Sequence, residues 1–302
     1  YVMLPKKFNP EYNNSAMVYI DGGNQGCIDN PNCGGTSTYY EMKLAIEIAD
    51  KMGCAVIVIR QIPNESVRFY DDHFTDWSNP KEEWPLPPPS KDPNDHETKG
   101  KSRSEDGIIA YTWWYYLDKC QGEKYGDSTE CARWLLRFPM TKAVIRAMDA
   151  ATEFIEQKYG ETNKIEKWVA AGASKRGWTK WTVGAVDKRI VGIAPLVMDI
   201  LQLNRQMHSH YQDLQGWTFA FQDYWWENMT TFVDTYEMGG LCKHVDPWSY
   251  RYKYRNRNIN IYVVNSVGDE FFLIDDNQNY MDDLKKMGIR DNQIFQRYNR
   301  NA

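Results

Sequence analysis

The fold of this chain turns on Gly172-Ala173-Ser174-Lys175-Arg176-Gly177, which follows a polar turn at Lys164 and an apolar run over residues 168–171. A serine between small residues, directly after a buried-type strand and directly before helix-forming residues, is the sequence form of a nucleophile elbow. This strained strand-to-helix turn lifts a hydroxyl above the edge of a sheet. Ser174 is therefore the candidate nucleophile. The usual pattern has glycine two residues after the serine, whereas here Arg176 stands there and Gly177 follows. The competing reading is a serine that caps a helix starting near Lys175, and these residues alone do not choose between the two.

Around this turn the chain alternates between strand and helix patterns. Residues 16–21 form an apolar run that stops in Gly22-Gly23-Asn24, residues 37–52 carry apolar positions at helical spacing closed by Gly53, and residues 55–59 read as a buried parallel strand. Helical patterning returns over 105–117 and 129–159, with Pro139 expected to break or bend the second segment. After the elbow come a helix to about 186, a strand over 190–197, a strand over 259–266, a helix over 275–287 and a last strand over 293–298. Such alternation predicts one domain with a mostly parallel sheet and helices on both faces. Two insertions interrupt it. Residues 62–103 are polar and proline-rich, centred on Pro85 to Pro89, and residues 198–250 are rich in aromatics and amides, the position of a lid over the site.

Composition narrows the class. The chain has 302 residues, 25% of them charged, with a net charge of -5, which gives no reason to expect a nucleic acid or an anionic membrane surface as partner. No apolar run approaches a membrane span. Aromatics reach 14%, enough for a packed core and an aromatic-lined cleft. Among the six cysteines, Cys27 with Cys33 and Cys120 with Cys131 lie close in sequence, each pair around a loop that a disulfide would stiffen, so an oxidising, extracellular compartment is expected. Cys54 reads as a small buried hydrophobe and Cys242 is unassigned. The absence of C-x-x-C spacing argues against metal held by sulfur, and no metal or cofactor is expected. The chain opens at Tyr1 rather than at methionine, which suggests a processed form trimmed at its ends.

A nucleophilic serine needs partners in the order serine, acid, histidine, each following a strand. Asp269, just past the strand ending at Ser266, is the expected acid, with Glu270 and Asp199 as alternatives; Gly268-Asp269 could equally be only a turn. The oxyanion hole would use the amide of Lys175 and one from Gly23 or Asn24, since glycines let the backbone approach a substrate oxygen closely. Neither the Walker pattern nor G-x-G-x-x-G is present, so phosphate binding is not expected. None of the five histidines, His73, His96, His208, His210 and His244, follows the last strand, where the base belongs. Either the base lies past Ala302, or it has been lost, or the chain is not a hydrolase.

Gly172-Ala-Ser-Lys-Arg-Gly-Trp178, preceded by Phe138-Pro-Met-Thr-Lys-Ala143 and Arg146-Ala-Met-Asp149, and followed by Val197-Met-Asp-Ile200, Val245-Asp-Pro247 and Gly268-Asp-Glu-Phe-Phe272, resembles the PhoPQ-activated pathogenicity-related family. The resemblance spans residues 16–298. It implies an α/β-hydrolase fold with Ser174 as nucleophile and Asp269 as acid, and a histidine from a segment after the last strand. It also implies a secreted protein that acts on an ester or peptide bond through an acyl-enzyme. The alternatives are a catalytically silent extracellular signal that engages a cell-surface receptor through its surface, or a structural component of a larger assembly.

Overall fold

The computed structural model describes residues 1–12, 14–23, 35–69, 102–120, 129–255, 257–289 and 294–299. Within them, seven strands form one sheet: β1 (Val2–Met3), β2 (Ser15–Ile20), β3 (Ala55–Ile59), β4 (Lys167–Ala173), β5 (Ile190–Leu196), β6 (Asn260–Ser266) and β7 (Ile294–Asn299). Their spatial order is β1-β3-β2-β4-β5-β6-β7, and every pairing is parallel except that of β1 with β3. The two-residue β1, too short to leave a periodic pattern, is the one strand that the sequence reading omits.

Among the described residues ten α-helices connect the strands: α1 (Gly35–Met52), α2 (Glu105–Trp114), α3 (Thr129–Ala132), α4 (Arg137–Tyr159), α5 (Lys175–Val186), α6 (Leu203–Leu214), α7 (Gln222–Trp226), α8 (Tyr236–Val245), α9 (Tyr252–Arg255) and α10 (Met281–Lys286). Register sets the faces. Ala16, Val18 and Ile20 pair with Ala55, Ile57 and Ile59, and Ala16, Val18, Ile20, Ala55 and Ile57 point into the main core with Trp168, Trp181 and Met148. Met17, Tyr19, Val56 and Val58 point the other way, onto Ala45 and Ala49 of α1. That second face is covered only in part, because farther along the sheet Val169, Tyr262 and Phe295 are 38%, 41% and 48% exposed.

Three local expectations need correction. Pro139 does not break a helix: the interruption falls at residues 133–136, and the proline sits in the first turn of α4, where its missing N–H is not needed. The helix expected over 105–117 is α2 followed by a wider turn over Tyr115–Lys119. The helix expected over 275–287 is a tight turn at Asp276–Asn279 followed by the shorter α10. Just past that wide turn, Cys120 is bonded to Cys131 of α3, their Cα atoms 6.2 Å apart, as the spacing predicted. Cys27 and Cys33, and most of the proline-rich insertion, lie outside the described residues. Cys54 is buried as expected, and Cys242 carries a free, half-buried thiol that burial pushes up to about 12.

The aromatic-rich connection from β5 to β6 is helical over α6 to α9, and its side chains Met207, Met238 and Leu241 join the main core. Asp246, after α8, accepts the amides of Leu203 and Trp248 at 2.9 and 2.8 Å. Two further carboxyls, Asp199 and Asp276, have no exposed surface. Asn265 donates to Asp199 at 2.9 Å, and the Leu273 amide donates to Asp276 at 2.7 Å. Burial raises Asp199 to about 6, and burial with the neighbouring Asp199 charge raises Asp276 to about 8.

Two predictions follow from this packing. A Cβ at Gly172 would lie 1.8 Å from Lys180 Nζ and 2.6 Å from the Ile20 carbonyl oxygen, whereas one at Gly239 would meet nothing within 4 Å. Gly172→Ala should therefore cost about 2 kcal/mol or more in urea unfolding, and Gly239→Ala, in a helix, should change stability by less than about 1 kcal/mol, in the stabilising direction. The second concerns pH. Asp276 holds its proton up to about pH 8 in the fold, while the unfolded carboxyl ionises near about 4. Its stabilising contribution is complete in acid and is lost as pH rises toward 8. The thermal midpoint should fall between pH 6 and 8, and Asp276→Asn should flatten that fall.

Candidate active site

β4 ends in Ala173 and α5 begins at Lys175, so the chain reverses direction in one residue. Ser174 makes this turn with φ 51° and ψ -129°, a conformation that a non-glycine residue holds only when its surroundings impose it. Its amide donates to the Leu196 carbonyl at 2.9 Å, which fixes the turn against the end of β5. The hydroxyl does not cap α5, so the helix-cap reading fails on geometry. Val197, a β-branched residue at the end of the neighbouring strand, also has positive φ, 45°. Two adjacent strand ends are thus both strained, as is common at functional sites.

The departure from the usual elbow pattern has a physical cause. Gly177, not residue 176, faces the sheet: a Cβ there would lie 2.7 Å from Met198 Cβ and 3.1 Å from the Leu196 carbonyl oxygen. Residue 176 points away, so an arginine fits. Arg176 grips both oxygens of Glu105 at 3.0 and 2.5 Å and donates to the Ile62 carbonyl at 2.8 Å. Lys175 reaches Asp106 at 2.7 Å and Glu105 at 3.1 Å. Two acids opening α2 thereby meet two bases opening α5. Burial opposes ionisation of Glu105, but the bonds and charge of Arg176, with Lys175, hold its carboxyl down at about 2. Burial works against the Lys175 ammonium, and Asp106 and Glu105 outweigh it and leave its pKa raised. Glu65, which accepts the Glu105 amide at 2.6 Å, is pushed up by burial to about 7.

Ser174 and Lys175 line a cavity of about 50 Å³. Its remaining walls are apolar and aromatic, chiefly Trp113, Trp178, Met198, Phe221, Tyr224 and Phe271, with Asp106 and Gln206 as further polar members. The pocket draws its floor from the elbow and α2, and its far wall from α6 and α7 of the β5–β6 connection. Tyr224 donates to Asp106 at 2.8 Å, which closes the polar end of the pocket.

Asp269 sits in the loop after β6, half-buried, with Oδ1 accepting the amides of Phe271 and Phe272 at 2.8 and 3.0 Å. Burial raises its carboxyl, and these two amides partly offset the rise. Both phenylalanines line the Ser174 pocket, so the loop that carries Asp269 is part of the site. Glu270 is exposed and Asp199 is fully buried under the sheet edge. Of the expected oxyanion donors, Lys175 opens α5, where first-turn amides have no partner within the helix. Gly23 has φ 137° and accepts from the Glu65 amide at 3.4 Å, and Asn24 lies outside the described residues. The space that a side chain on Gly22 would fill is taken by the Arg176 guanidinium.

The described histidines are all committed elsewhere. The Thr218 amide donates to His210 Nε2 at 3.2 Å, so the proton is on Nδ1, which donates to the Phe271 carbonyl at 3.1 Å. This ring is neutral, buried and stacked on Trp217, and burial lowers its pKa. His208 pairs with Asp234 at 2.7 Å on the surface, and His244 meets Tyr116 and Phe138 edge-on. His73 and His96 lie outside the described residues. The sequence reading missed Asp106, Tyr224 and Gln206, which belong to distant segments with no motif. It also missed Lys180, whose amine is buried without a hydrogen-bond partner among the described residues and is driven toward neutrality by burial and by Arg176 and Arg137. No group of three or more potential metal ligands occurs among the described residues, and no helix among them is long and apolar enough to cross a membrane.

The elbow after β4, the parallel sheet around it and the helical connection above it constitute an α/β-hydrolase fold. Similar solved structures include an acylaminoacyl peptidase from Pyrococcus horikoshii, 14% identical with a TM-score of 0.48, covering 100% of this chain and 34% of that one. An acetyl xylan esterase from Paenibacillus sp. R4 is 10% identical with a TM-score of 0.48, covering 99% of this chain and 70% of that one. The sequence is 34% identical over 273 residues to autocrine proliferation repressor protein A of Dictyostelium discoideum, covering 89% of this chain and 45% of that protein. The chain thus spans about half the length of this relative. Residues 92–293 match the PhoPQ-activated pathogenicity-related protein family, and with that match and this relative the chain belongs to that family.

Proposed function

We propose that this protein is an extracellular serine hydrolase that cleaves an ester or peptide bond through an acyl-enzyme. One observation carries the reading: Ser174 is held in a strained turn, its hydroxyl without a hydrogen bond among the described residues, in an apolar pocket at the start of a helix. In this mechanism Ser174 attacks the carbonyl carbon, and the Lys175 amide, with Gly23 or Asn24, receives the developing oxyanion. Asp269 orients a histidine supplied from outside the described residues, which takes the serine proton and returns it to the leaving group. The disulfide between Cys120 and Cys131 supports an oxidising compartment.

A second reading is favoured by the relative named as a proliferation repressor and by the commitment of every described histidine to another contact. On this view the protein is a secreted signal that binds a cell-surface receptor and keeps the scaffold without turnover. Ser174→Ala separates the two. In the hydrolase reading, the full-length protein is labelled by a fluorophosphonate probe, and Ser174→Ala abolishes labelling and reduces turnover by about three orders of magnitude or more without a change in thermal midpoint. A folded full-length protein that takes no label would leave the signalling reading, in which Ser174→Ala keeps full biological activity.

A further inference from the structure

The loop after β2 presents one backbone amide toward the elbow. Tyr19 of β2 pairs with Ala171 of β4, and continuing that register brings Gly22 and Gly23 level with Ser174 and Lys175. The Gly22 carbonyl accepts the Gln61 amide at 2.8 Å, on the side of β3. In a trans peptide the next N–H points opposite to the carbonyl, so the Gly23 amide is directed away from β3, to the side where β4 ends in Ser174. That amide has no hydrogen-bond partner among the described residues. Arg176 ties the same loop to the nucleophile. A Cβ on Gly22 would lie 2.3 Å from Arg176 Nη2 and 2.8 Å from its Cζ, so the guanidinium packs directly on the Gly22 backbone. From there Nε donates to the Ile62 carbonyl at 2.8 Å, and Nη1 and Nη2 donate to Glu105 at 3.0 and 2.5 Å. The Glu105 amide donates to the Glu65 carboxyl at 2.6 Å, and the Glu65 amide donates to the Gly23 carbonyl at 3.4 Å. A ring of contacts thus runs from Arg176 through Glu105 and Glu65 back to Gly23.

From this arrangement we infer that Arg176 is a positioning residue for the oxyanion hole: by its contacts with Gly22, Ile62 and Glu105 it holds the Gly23 amide in place to act together with the Lys175 amide. The inference rests on the hydrolase reading of Ser174, and it assigns the second donor to Gly23 rather than to Asn24. Such a donor acts only when it stands about 2.7–3.1 Å from the oxygen on which charge develops, so a small shift of the Gly22-Gly23 loop weakens it. A glycine at position 176, as in the usual elbow, has no side chain with which to reach that loop. The guanidinium side chain is 11% exposed, and its two parallel bonds to Glu105 fix its plane as well as its place. A lysine at the same position would keep the charge and lose the fork, which separates the two contributions.

The test compares the full-length protein with Arg176→Lys and Arg176→Ala by the rate of fluorophosphonate labelling and by hydrolysis of p-nitrophenyl acetate. In Arg176→Lys the labelling rate and kcat should both fall about tenfold or more, while KM stays within about twofold, the pattern of an interaction made only in the transition state. In Arg176→Ala, ethylguanidinium should restore part of the lost kcat by refilling the space between Gly22 and Glu105, and ethylammonium, of equal charge, should not. An Arg176→Lys variant that labels and turns over as fast as the wild type, a loss confined to KM, or an Arg176→Ala variant that ethylguanidinium leaves unrestored would overturn the inference. Where Arg176→Ala does not fold, Arg176→Lys alone decides. A labelled wild type with an unaffected Arg176→Lys refutes the role of Arg176 alone, whereas a folded wild type that takes no label refutes the hydrolase reading and this inference with it.

Discussion

The close approach of α5 to the ends of β2, β4 and β5 is the constraint on which the upper edge of the sheet depends. Gly172 leaves room for the Lys180 amine beside the Ile20 carbonyl, and Gly177 leaves room for Met198 and the end of β5. With both gaps filled from the neighbouring elements, the chain between them has no space to relax, and Ser174 stays at φ 51°. A positive φ at a non-glycine residue costs about 1–3 kcal/mol, an expense that close packing on both sides can sustain. The hydroxyl is therefore positioned by backbone geometry and, among the described residues, not by a hydrogen bond of its own.

Electrostatics locks the same junction from the outside. Glu105 and Asp106 at the start of α2 face Lys175 and Arg176 at the start of α5, at distances of 2.5 to 3.1 Å. These side chains are mostly withdrawn from solvent, so removal of one partner would leave an uncompensated charge rather than merely a lost contact. The planar fork of Arg176 reaches both oxygens of Glu105 at once, a geometry that lysine cannot reproduce. Here the arginine in place of the usual glycine gains its explanation, since the elbow needs a small residue only where α5 touches β5, and that position is 177.

The alternation of apolar strand runs with helical spacing was sufficient to read β2 to β7 within one or two residues, because β2 to β6 each carry a continuous apolar stretch such as residues 55–59. The placement of Ser174 and Asp269 at strand ends was legible for a related reason: Ser174 follows β4 directly, Asp269 lies three residues past β6, and the order of strands in the chain dictates where they emerge. What could not be read was contact between distant segments. Nothing in the sequence near Asp106 links it to Lys175, far along the chain, because their meeting depends on how α2 packs against α5. Lys180 lay at a position that a solvated helix face would allow, and only the packing of α5 against Gly172 turns it inward. The interruption before Pro139 was misplaced because a proline in the first turn of a helix and one in its middle look alike in sequence.

The choice among the three acids of the proposed mechanism can be argued from exposure and valence. Asp199 is fully buried, its Oδ2 is engaged by Asn265, and burial raises it to about 6, so it lies beneath the sheet edge as part of the core. Glu270 is exposed, and its backbone carbonyl accepts from Thr218 at 2.7 Å, which turns that residue toward the β5–β6 connection. Asp269 lies between these extremes. Its Oδ1 is pinned by two amides of the pocket loop, which fixes the carboxylate plane and leaves Oδ2 to meet an imidazole. The same loop is held from the opposite side by His210, whose Nδ1 proton goes to the Phe271 carbonyl. His210 thus holds the loop that carries Asp269 and, with both ring nitrogens occupied by backbone, has no site left for a serine proton.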